Sequence, residues 1–202
     1  MKRTVCAIFF LALVSLLDCR AASPDFSFGV EWGYSISLLK ARHINYLDAD
    51  GSRVSEQDVT TRSYSNANVL ASVGLNLGDK TNISICSGYM GVEDNVRVIP
   101  ALLRVSFAPR GLKSSGFVAS IEGGAGMNVL YNDQILGLGG IGAGYRIGLS
   151  GKFSIDLKMY LRASYDHPNI YDPTYYGFVP KDRITINQAG YGSAGITVMV
   201  NF

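Results

Sequence analysis

Apolar side chains recur at every second position along most of this chain, and this period limits the possible folds more than any other feature. In FSIDLKMYLRASY, residues 153–165, Leu157 and Leu161 belong to an apolar series, and Lys158 belongs to the polar series between them. A helix of 3.6 residues per turn would scatter both series around its surface, whereas a β-strand separates them onto two faces. The period therefore predicts two-faced strands.

Eight such strands are predicted, with no amphipathic helix after the N-terminal segment. They cover about residues 26–38, 68–77, 82–90, 96–108, 117–130, 135–149, 153–165 and 187–202. Short connections at 78–80, 109–116 and 150–152 fall at one end, and the long loops 40–65 and 166–185 fall at the other. Consecutive antiparallel strands closed on themselves give this arrangement. We expect an all-β fold, an eight-stranded antiparallel up-and-down β-barrel, with the two long loops as neighbours.

The N-terminal segment MKRTVCAIFFLALVSLLDCRAAS is typical of a secretory signal peptide, because basic residues precede a short apolar run and small residues follow it. We expect cleavage after Ala21 or Ala22, a signal peptide over 1–21 and one barrel domain over 22–202. Loss of the leader's three basic residues and one acidic residue brings the formal charge from +2 to about zero. Without a basic field, the chain is not expected to bind nucleic acid.

Two-faced strands fit either a soluble, lipocalin-like barrel with an apolar interior or a membrane barrel with an apolar exterior. The polar face of the predicted strands is rich in glycine and serine, which suit a narrow interior. Aromatic residues gather at the predicted strand ends, as in interfacial girdles. A Lys or Arg that faced lipid at mid-depth would cost about 2 to 4 kcal/mol. These features favour a transmembrane β-barrel whose apolar face contacts lipid.

Charges of both signs on the polar face would then lie inside the barrel, where buried charges need partners. We predict that glycine, serine and a few matched ions fill the middle of the lumen. The predicted lumen charge network consists of Glu31, Arg104, Glu122, Arg146, Asp156, Lys158 and Arg162.

The segment GLGGIGAGY, beginning at Gly137, matches the G-x-G-x-x-G pattern of dinucleotide-binding sites, and Asp156 follows at roughly the expected separation of about twenty residues. However, Gly140, Gly142 and Gly144 continue the period of two. A Ser-Gly turn and another strand follow, where a dinucleotide site requires a helix. We therefore predict a strand here and no bound cofactor.

Other candidate sites are weaker. DADGS, from Asp48, resembles the start of a calcium loop, but the position that requires Glu is Val59, so we expect a solvated turn and no metal. Neither His43 nor His167 lies in a predicted strand near a suitable serine pair. Cys86 falls on the polar face and is expected to be a packed thiol. No catalytic residue and no enzyme activity are predicted.

The second long loop contains DHPNIYDPTYYGFVPKDR, which combines aromatic side chains with prolines that limit the cost of ordering. It is the best candidate for contact with an external sugar or protein. The alternative is that these aromatic side chains pack on the barrel rim or on lipopolysaccharide. The candidate contact residues are Tyr171, Tyr175, Tyr176 and Phe178.

The chain ends in SAGITVMVNF, which fits a polar-x-Gly-x-x-apolar-x-apolar signal with a terminal aromatic residue. The residues in these positions are Ser193, Gly195, Val198, Val200 and Phe202. With this ending, the chain resembles the small bacterial outer-membrane β-barrels of the OmpA, OmpX and OmpW kind, and VRVIPALLRVSF looks like the strands of Bacteroidetes barrel proteins. The resemblance implies insertion into the outer membrane after the barrel assembly machinery recognises the C-terminal signal.

The sequence thus predicts a non-enzymatic integral outer-membrane β-barrel, surrounded by outer-membrane lipid, with two long loops that contact the exterior. An eight-stranded lumen filled by side chains leaves no continuous aqueous path. Two alternatives stay open: a narrow transporter or channel for a small apolar solute, and the soluble lipocalin-like ligand-binding barrel.

Overall fold

The computed structural model describes residues 25–202 apart from 62, 95, 131–133, 151 and 152. The predicted signal peptide, its cleavage site and most of the predicted turn at 150–152 lie outside the described residues. Within the described part of the chain, no helix is long and apolar enough to cross a membrane.

Strands account for most of the described residues. They are β1 (Asp25–Leu47), β2 (Arg53–Thr60), β3 (Tyr64–Leu77), β4 (Thr81–Glu93), β5 (Val96–Phe107), β6 (Gly116–Asn128), β7 (Ile135–Ser150), β8 (Phe153–Asp166), β9 (Tyr171–Asp172), β10 (Gly177–Phe178) and β11 (Ile184–Asn201). Two short 3-10 helices, Pro173–Tyr175 and Lys181–Arg183, lie between the last three strands. The long strands alternate between exposed and buried side chains, as expected when one face of a sheet turns inward.

Eight of these strands close into a barrel. β1 and β3 to β8 pair antiparallel in chain order, β8 pairs with β11, and β11 returns to pair with β1. In the closing pair, Trp32 lies opposite Val198. The predicted eight-stranded antiparallel up-and-down barrel is confirmed. Closure satisfies the backbone groups that an open sheet would leave unpaired at its edges.

The prediction of a loop over 40–65 is wrong for most of its length. β1 continues to Leu47 and forms a hairpin with β2 that stands above the barrel rim. The alternation of apolar and polar residues did not reveal β2. Nearly all side chains of RVSEQDVT are exposed, so this strand has no buried face and needs no apolar series. The DADGS segment is the turn of this hairpin, where the Ser52 N–H donates to the Asp48 carboxylate at 2.8 Å.

The apolar series lies outside the barrel, and the polar series lies inside. On β8, Asp156 is 2% exposed, whereas Leu157 is 47% exposed and Leu161 is 56% exposed. A soluble barrel would have the opposite arrangement, because its outer face would meet water.

The prediction that glycine, serine and ions fill the middle of the lumen did not extend to its loop end. Apolar side chains close the lumen there. We call this set the apolar layer; it consists of Leu70, Cys86, Met90, Val92, Val98, Leu102, Leu136, Ala189 and Tyr191. The reason is visible on β5, where Val98 and Leu102 are buried inside while Ile99 and Leu103 are exposed outside. When both faces of a strand are apolar, the period of two no longer separates inside from outside.

The glycine-rich stretch forms part of β7, as predicted. A Cβ at Gly144 would clash with the backbone carbonyl oxygen of Leu157 on the neighbouring strand. A Cβ at Gly140 would lie 2.9 Å from Cγ of Arg162. These glycines therefore leave space for close strand packing and for a lumen cation.

Candidate functional site

Five charged side chains from four strands meet inside the barrel. We call them the ionic cluster: Glu31, Arg104, Glu122, Lys158 and Arg162. Arg104 is central, because its Nη1 donates to Glu31 Oε2 at 2.7 Å and its Nε and Nη2 donate to Glu122 Oε2 at 2.9 and 2.7 Å. All five side chains are at least nine-tenths buried. Closure of the barrel assembles the cluster, since β1 and β5 are not neighbours in the sheet.

Two further cations complete the ionic cluster. Arg162 donates from Nε to Glu122 Oε1 at 2.6 Å, and its Nη2 lies 3.4 Å from Glu31 Oε1. Lys158 Nζ lies 3.2 Å from Glu31 Oε2. The guanidinium of Arg162 also lies 4.0 Å from the ring centre of Tyr160, a cation–π contact. Each carboxylate is thus paired with at least two cations, which offsets the cost of its burial.

The other two residues of the predicted network form a separate pair, so the single predicted network is two groups. Arg146 Nε and Nη2 donate to the two carboxylate oxygens of Asp156 at 2.6 and 2.7 Å, in a fork geometry. Arg146 Nη1 donates to the backbone carbonyl of Leu112 at 2.7 Å. Leu112 is buried in the connection between β5 and β6. Sequence reasoning missed this contact; the only signal is a large apolar residue within PRGLKSSG.

Two spaces lie toward opposite ends of the barrel. A cavity of about 260 Å³ at the turn end is lined by residues that include Ser27, Asn82 and Arg146. A cleft of about 900 Å³ at the loop end is lined by residues that include Gln134 and Asn187. The two spaces share no lining residue. The ionic cluster and the apolar layer lie between them.

The outer surface of the barrel is an apolar belt between two sets of exposed aromatic side chains. At the loop end these include Tyr89 and Tyr165. At the turn end they are Phe26, Phe107, Phe117, Phe153 and Phe202. Phe153 and Phe202 contact edge to face, with 5.5 Å between ring centroids. Between the two sets, none of the outward-facing residues that the structure describes is charged.

The two long loop segments pack against each other, as predicted. We call the hairpin residues 44–60 together with 166–183 the loop module. One buried apolar cluster joins its two parts, made of Ile44, Tyr46, Ile170 and Val179. The Tyr175 hydroxyl also donates to the backbone carbonyl of Leu47 at 2.9 Å. The loop module is therefore a packed unit above the barrel.

A hydrogen bond links the two parts of the loop module. The Tyr46 hydroxyl donates to Asp172 Oδ2 at 2.8 Å. Burial, reinforced by this bond, raises the pKa of Tyr46 to about 12. The pKa of Asp172 is lowered, first by the Thr174 hydroxyl at 2.6 Å, then by the Thr174 backbone N–H and the Tyr46 hydroxyl. The ionised Asp172 thus caps one short helix and holds it against the hairpin.

The loop module exposes three of the four predicted contact residues. Tyr176 is 95% exposed and has a left-handed backbone, with φ of 53°, which is uncommon for a residue with a Cβ. Tyr171 and Phe178 are exposed and contact each other edge to face, with 6.2 Å between centroids. Tyr175 instead packs against the buried cluster.

The residues of the predicted C-terminal signal lie along the closing seam of the barrel, where β11 meets β1. They are Ser193, Gly195, Val198, Val200 and Phe202. A Cβ at Gly195 would lie 2.6 Å from the hydroxyl oxygen of Tyr160, so glycine is needed for packing inside the barrel. The Phe202 N–H donates to the Phe28 carbonyl at 2.8 Å. Recognition of these residues by the assembly machinery stays a prediction.

Cys86 lies buried in the apolar layer, with its Sγ 3.9 Å from the Ser84 hydroxyl. This placement is that of a packed thiol. Among the described residues, no group of three or more His, Cys, Asp or Glu side chains is placed to hold a metal ion.

No protein-family model and no curated protein sequence matches this chain. Among solved structures, it is similar to the solid-state NMR structure of outer membrane protein AlkL in DMPC lipid bilayers, with 8% identity, 90% of this chain and 92% of that chain covered, and a TM-score of 0.44. A weaker similarity is to the Salmonella SPI-1 type III secretion injectisome secretin InvG, with 11% identity, 97% and 64% coverage, and a TM-score of 0.12. Neither similarity defines the fold, which rests on the chain's own strand pairing.

Proposed function

We propose that this protein is an integral outer-membrane β-barrel protein with a sealed lumen, whose loop module contacts the environment outside the cell. The distribution of charge carries the proposal. The ionic cluster and the Arg146–Asp156 pair lie inside, and the belt outside has no charged side chain among the described residues. A protein in water rarely exposes so continuous an apolar surface, whereas lipid requires one.

Strand length and backbone pairing support the same location. A tilted transmembrane strand needs about 9 to 11 residues, and β3, β4 and β6 contain 14, 13 and 13. In hydrocarbon every backbone N–H and C=O must be satisfied within the protein, which a closed barrel achieves. Each of these strands can therefore cross a bilayer.

The ionic cluster and the apolar layer that fill the lumen favour a sealed barrel over a transporter. A solute that crossed the lumen would have to displace both the ionic cluster and the apolar layer. Opening the cluster would leave buried charges without partners, which is strongly unfavourable. In planar bilayers, the purified protein is expected to produce no stepwise conductance. Reproducible single-channel steps would support the narrow-transporter alternative instead.

Tyr176 supports a contact role for the loop module. A left-handed backbone at a bulky residue costs free energy and is often kept where the residue has a function, and the side chain has almost no internal packing. With Tyr171 and Phe178 exposed beside it, the surface suits a sugar or an apolar patch of a protein. Tyr176→Ala is expected to reduce binding to immobilised oligosaccharides or lipopolysaccharide, with Tyr145→Ala in the belt as the matched control. Equal binding by both variants and the parent protein would remove Tyr176 from the contact surface.

Membrane fractionation tests the location. The expressed protein is expected in the outer-membrane fraction of a Gram-negative host, resistant to urea washing and with heat-modifiable mobility on gels. Protease added to intact cells is expected to cut within the loop module and to spare the 109–115 connection at the turn end. Recovery in the periplasmic fraction without detergent would contradict the proposal.

A further inference from the structure

The ionic cluster contains one more cation than anion. Arg104, Lys158 and Arg162 form their ion pairs with Glu31 and Glu122, while Arg146 forms its ion pair with Asp156. A net positive charge inside the barrel is unfavourable unless a counter-charge lies close to it.

The excess charge coincides with an unused hydrogen-bond donor. Arg162 uses Nε toward Glu122 and Nη2 toward Glu31, but its Nη1 is buried and has no hydrogen-bond partner. The Arg162 side chain is nine-tenths buried, and its guanidinium is held over the Tyr160 ring. The donor is therefore fixed in place and shielded from bulk water.

A small cavity lies against this arginine, between the ionic cluster and the apolar layer. Its volume is about 20 Å³, and Arg162, Ser35, Ser164 and Ser193 are among the residues that line it. Glu122 also lines it, with its carboxylate paired to Arg104 and Arg162. A cavity of about 10 to 15 Å³ already holds a particle of the size of water. Serine hydroxyls can rotate to donate a hydrogen bond. The cavity thus combines room for one small particle with a cationic donor and nearby hydroxyl groups.

We propose that this cavity is an internal binding site for a small monovalent inorganic anion of the size of chloride. The anion accepts hydrogen bonds from Arg162 Nη1 and from the hydroxyls of Ser164 and Ser193, and its charge neutralises the extra cation. A water molecule would satisfy Nη1 but would leave the net charge uncompensated. Larger oxyanions exceed the space between the cluster and Met90 and Leu102 of the apolar layer.

Halide-dependent stability tests the site in the full-length protein in detergent micelles. The midpoint temperature of unfolding, read from heat-modifiable gel mobility, is expected to rise saturably with chloride or bromide and not with gluconate at equal ionic strength. Crystals soaked in bromide are expected to show an anomalous peak beside Arg162 Nη1. Equal midpoints in chloride and gluconate, with no anomalous peak, would mean that the cavity holds water only and would overturn the proposal.

Two variants test separately the role of the serine hydroxyl donors and the role of the extra positive charge. Ser164→Ala combined with Ser193→Ala is expected to raise the halide concentration for half-maximal stabilisation by about tenfold, because donors to a charged group are lost. Ser106→Ala, a lumen serine that lines the turn-end cavity, is the matched control and should keep the parent response. Lys158→Met removes the extra cation and is expected to abolish the response. If Lys158→Met does not fold, an unchanged half-maximal concentration in the serine double variant still refutes the site.

Discussion

The ionic cluster and the apolar layer fill one lumen by two different means. On β5, Arg104 belongs to the first and Leu102 to the second, although they are adjacent positions on the same inward face. The ionic cluster depends on each member, because every removal leaves a buried charge without a partner. The apolar layer depends on volume, because its side chains interact without direction. The lumen of this barrel can therefore be filled either by charged side chains that pair with opposite charges or by apolar side chains that pack against each other.

The largest effect is expected from removing the centre of the ionic cluster. Arg104→Met leaves Glu31 and Glu122 without their central cation, and should lower the free energy of unfolding by about 3 to 5 kcal/mol. Urea unfolding in lipid vesicles measures this loss. Arg97→Met, at an exposed position of the same strand, is the control and should change stability by less than about 0.5 kcal/mol. Equal losses in both variants would contradict the central role of Arg104.

A smaller loss is expected in the apolar layer. Leu102→Ala should lower the free energy of unfolding by about 3 kcal/mol, because it leaves a cavity in a packed interior. The matched control is Leu103→Ala, whose side chain points outward, where lipid can fill the space. Vesicle-based urea unfolding of the two variants should therefore differ by about 2 kcal/mol. Similar losses would show that the inward and outward faces of β5 are not distinguished energetically.

The separate ion pair near the turn end sharpens the comparison. Arg146→Met alone should cost about 3 kcal/mol, because Asp156 then stays buried without a cation. Combined with Asp156→Leu, the change should fall within about 1 kcal/mol of the parent protein, since apolar groups can replace a buried pair. A double-mutant cycle measures both quantities. A double variant that is less stable than either single variant would show that the pair has no apolar substitute at this depth.

The smallest change in stability is expected in the loop module, because the loop module is in contact with water, whereas the ionic cluster and the apolar layer are not. The pKa of Asp172 is lowered in the folded protein. Its contribution to the stability of the loop module is therefore complete above the usual carboxyl pKa of about 3.9, and this contribution is lost as the pH falls below that value. The pKa of Tyr46 is raised to about 12. Its contribution to the stability of the loop module is therefore present below the usual tyrosine pKa of about 10, and it is lost as the pH rises through 12.

Between these two pH limits, the contribution of the Tyr46–Asp172 hydrogen bond to the stability of the loop module should not change with pH. NMR signals of the Ile170 and Val179 methyl groups should report loosening of the loop module on acidification. Asp172→Asn should remove this acid transition, whereas Asp182→Asn, at an exposed position, should keep it. An acid transition that persists in Asp172→Asn would exclude this carboxylate as its origin.

The sequence predicted the barrel well and its interior only in part. Leu157 and Leu161 were correctly placed outside and Asp156 inside, because each strand with one apolar face shows the period of two. β2 was missed, because a hairpin exposed on both sides has no apolar face to detect. The apolar layer was missed for the opposite reason, since segments such as VRVIPALLRVSF are apolar on both faces.

The same distinction holds for the candidate sites. The seven predicted lumen charges could be found from their positions on polar faces, but their division into a five-residue cluster and a separate pair could not. Tyr175 was grouped with the exposed loop aromatics because neighbouring residues in a loop give no signal of which one packs inward. The cavity beside Arg162 left no trace in the sequence at all.

By itself, the sequence determined the eight barrel strands, their order and, where one face is polar, which face points inward, because these depend on backbone geometry over a few residues. Only the tertiary structure decided that Glu31 meets Arg104, that Leu112 reaches Arg146 and that the two loop segments share one apolar cluster. Those contacts join residues far apart in the chain, and they form only when closure of the barrel sets the positions of non-neighbouring strands.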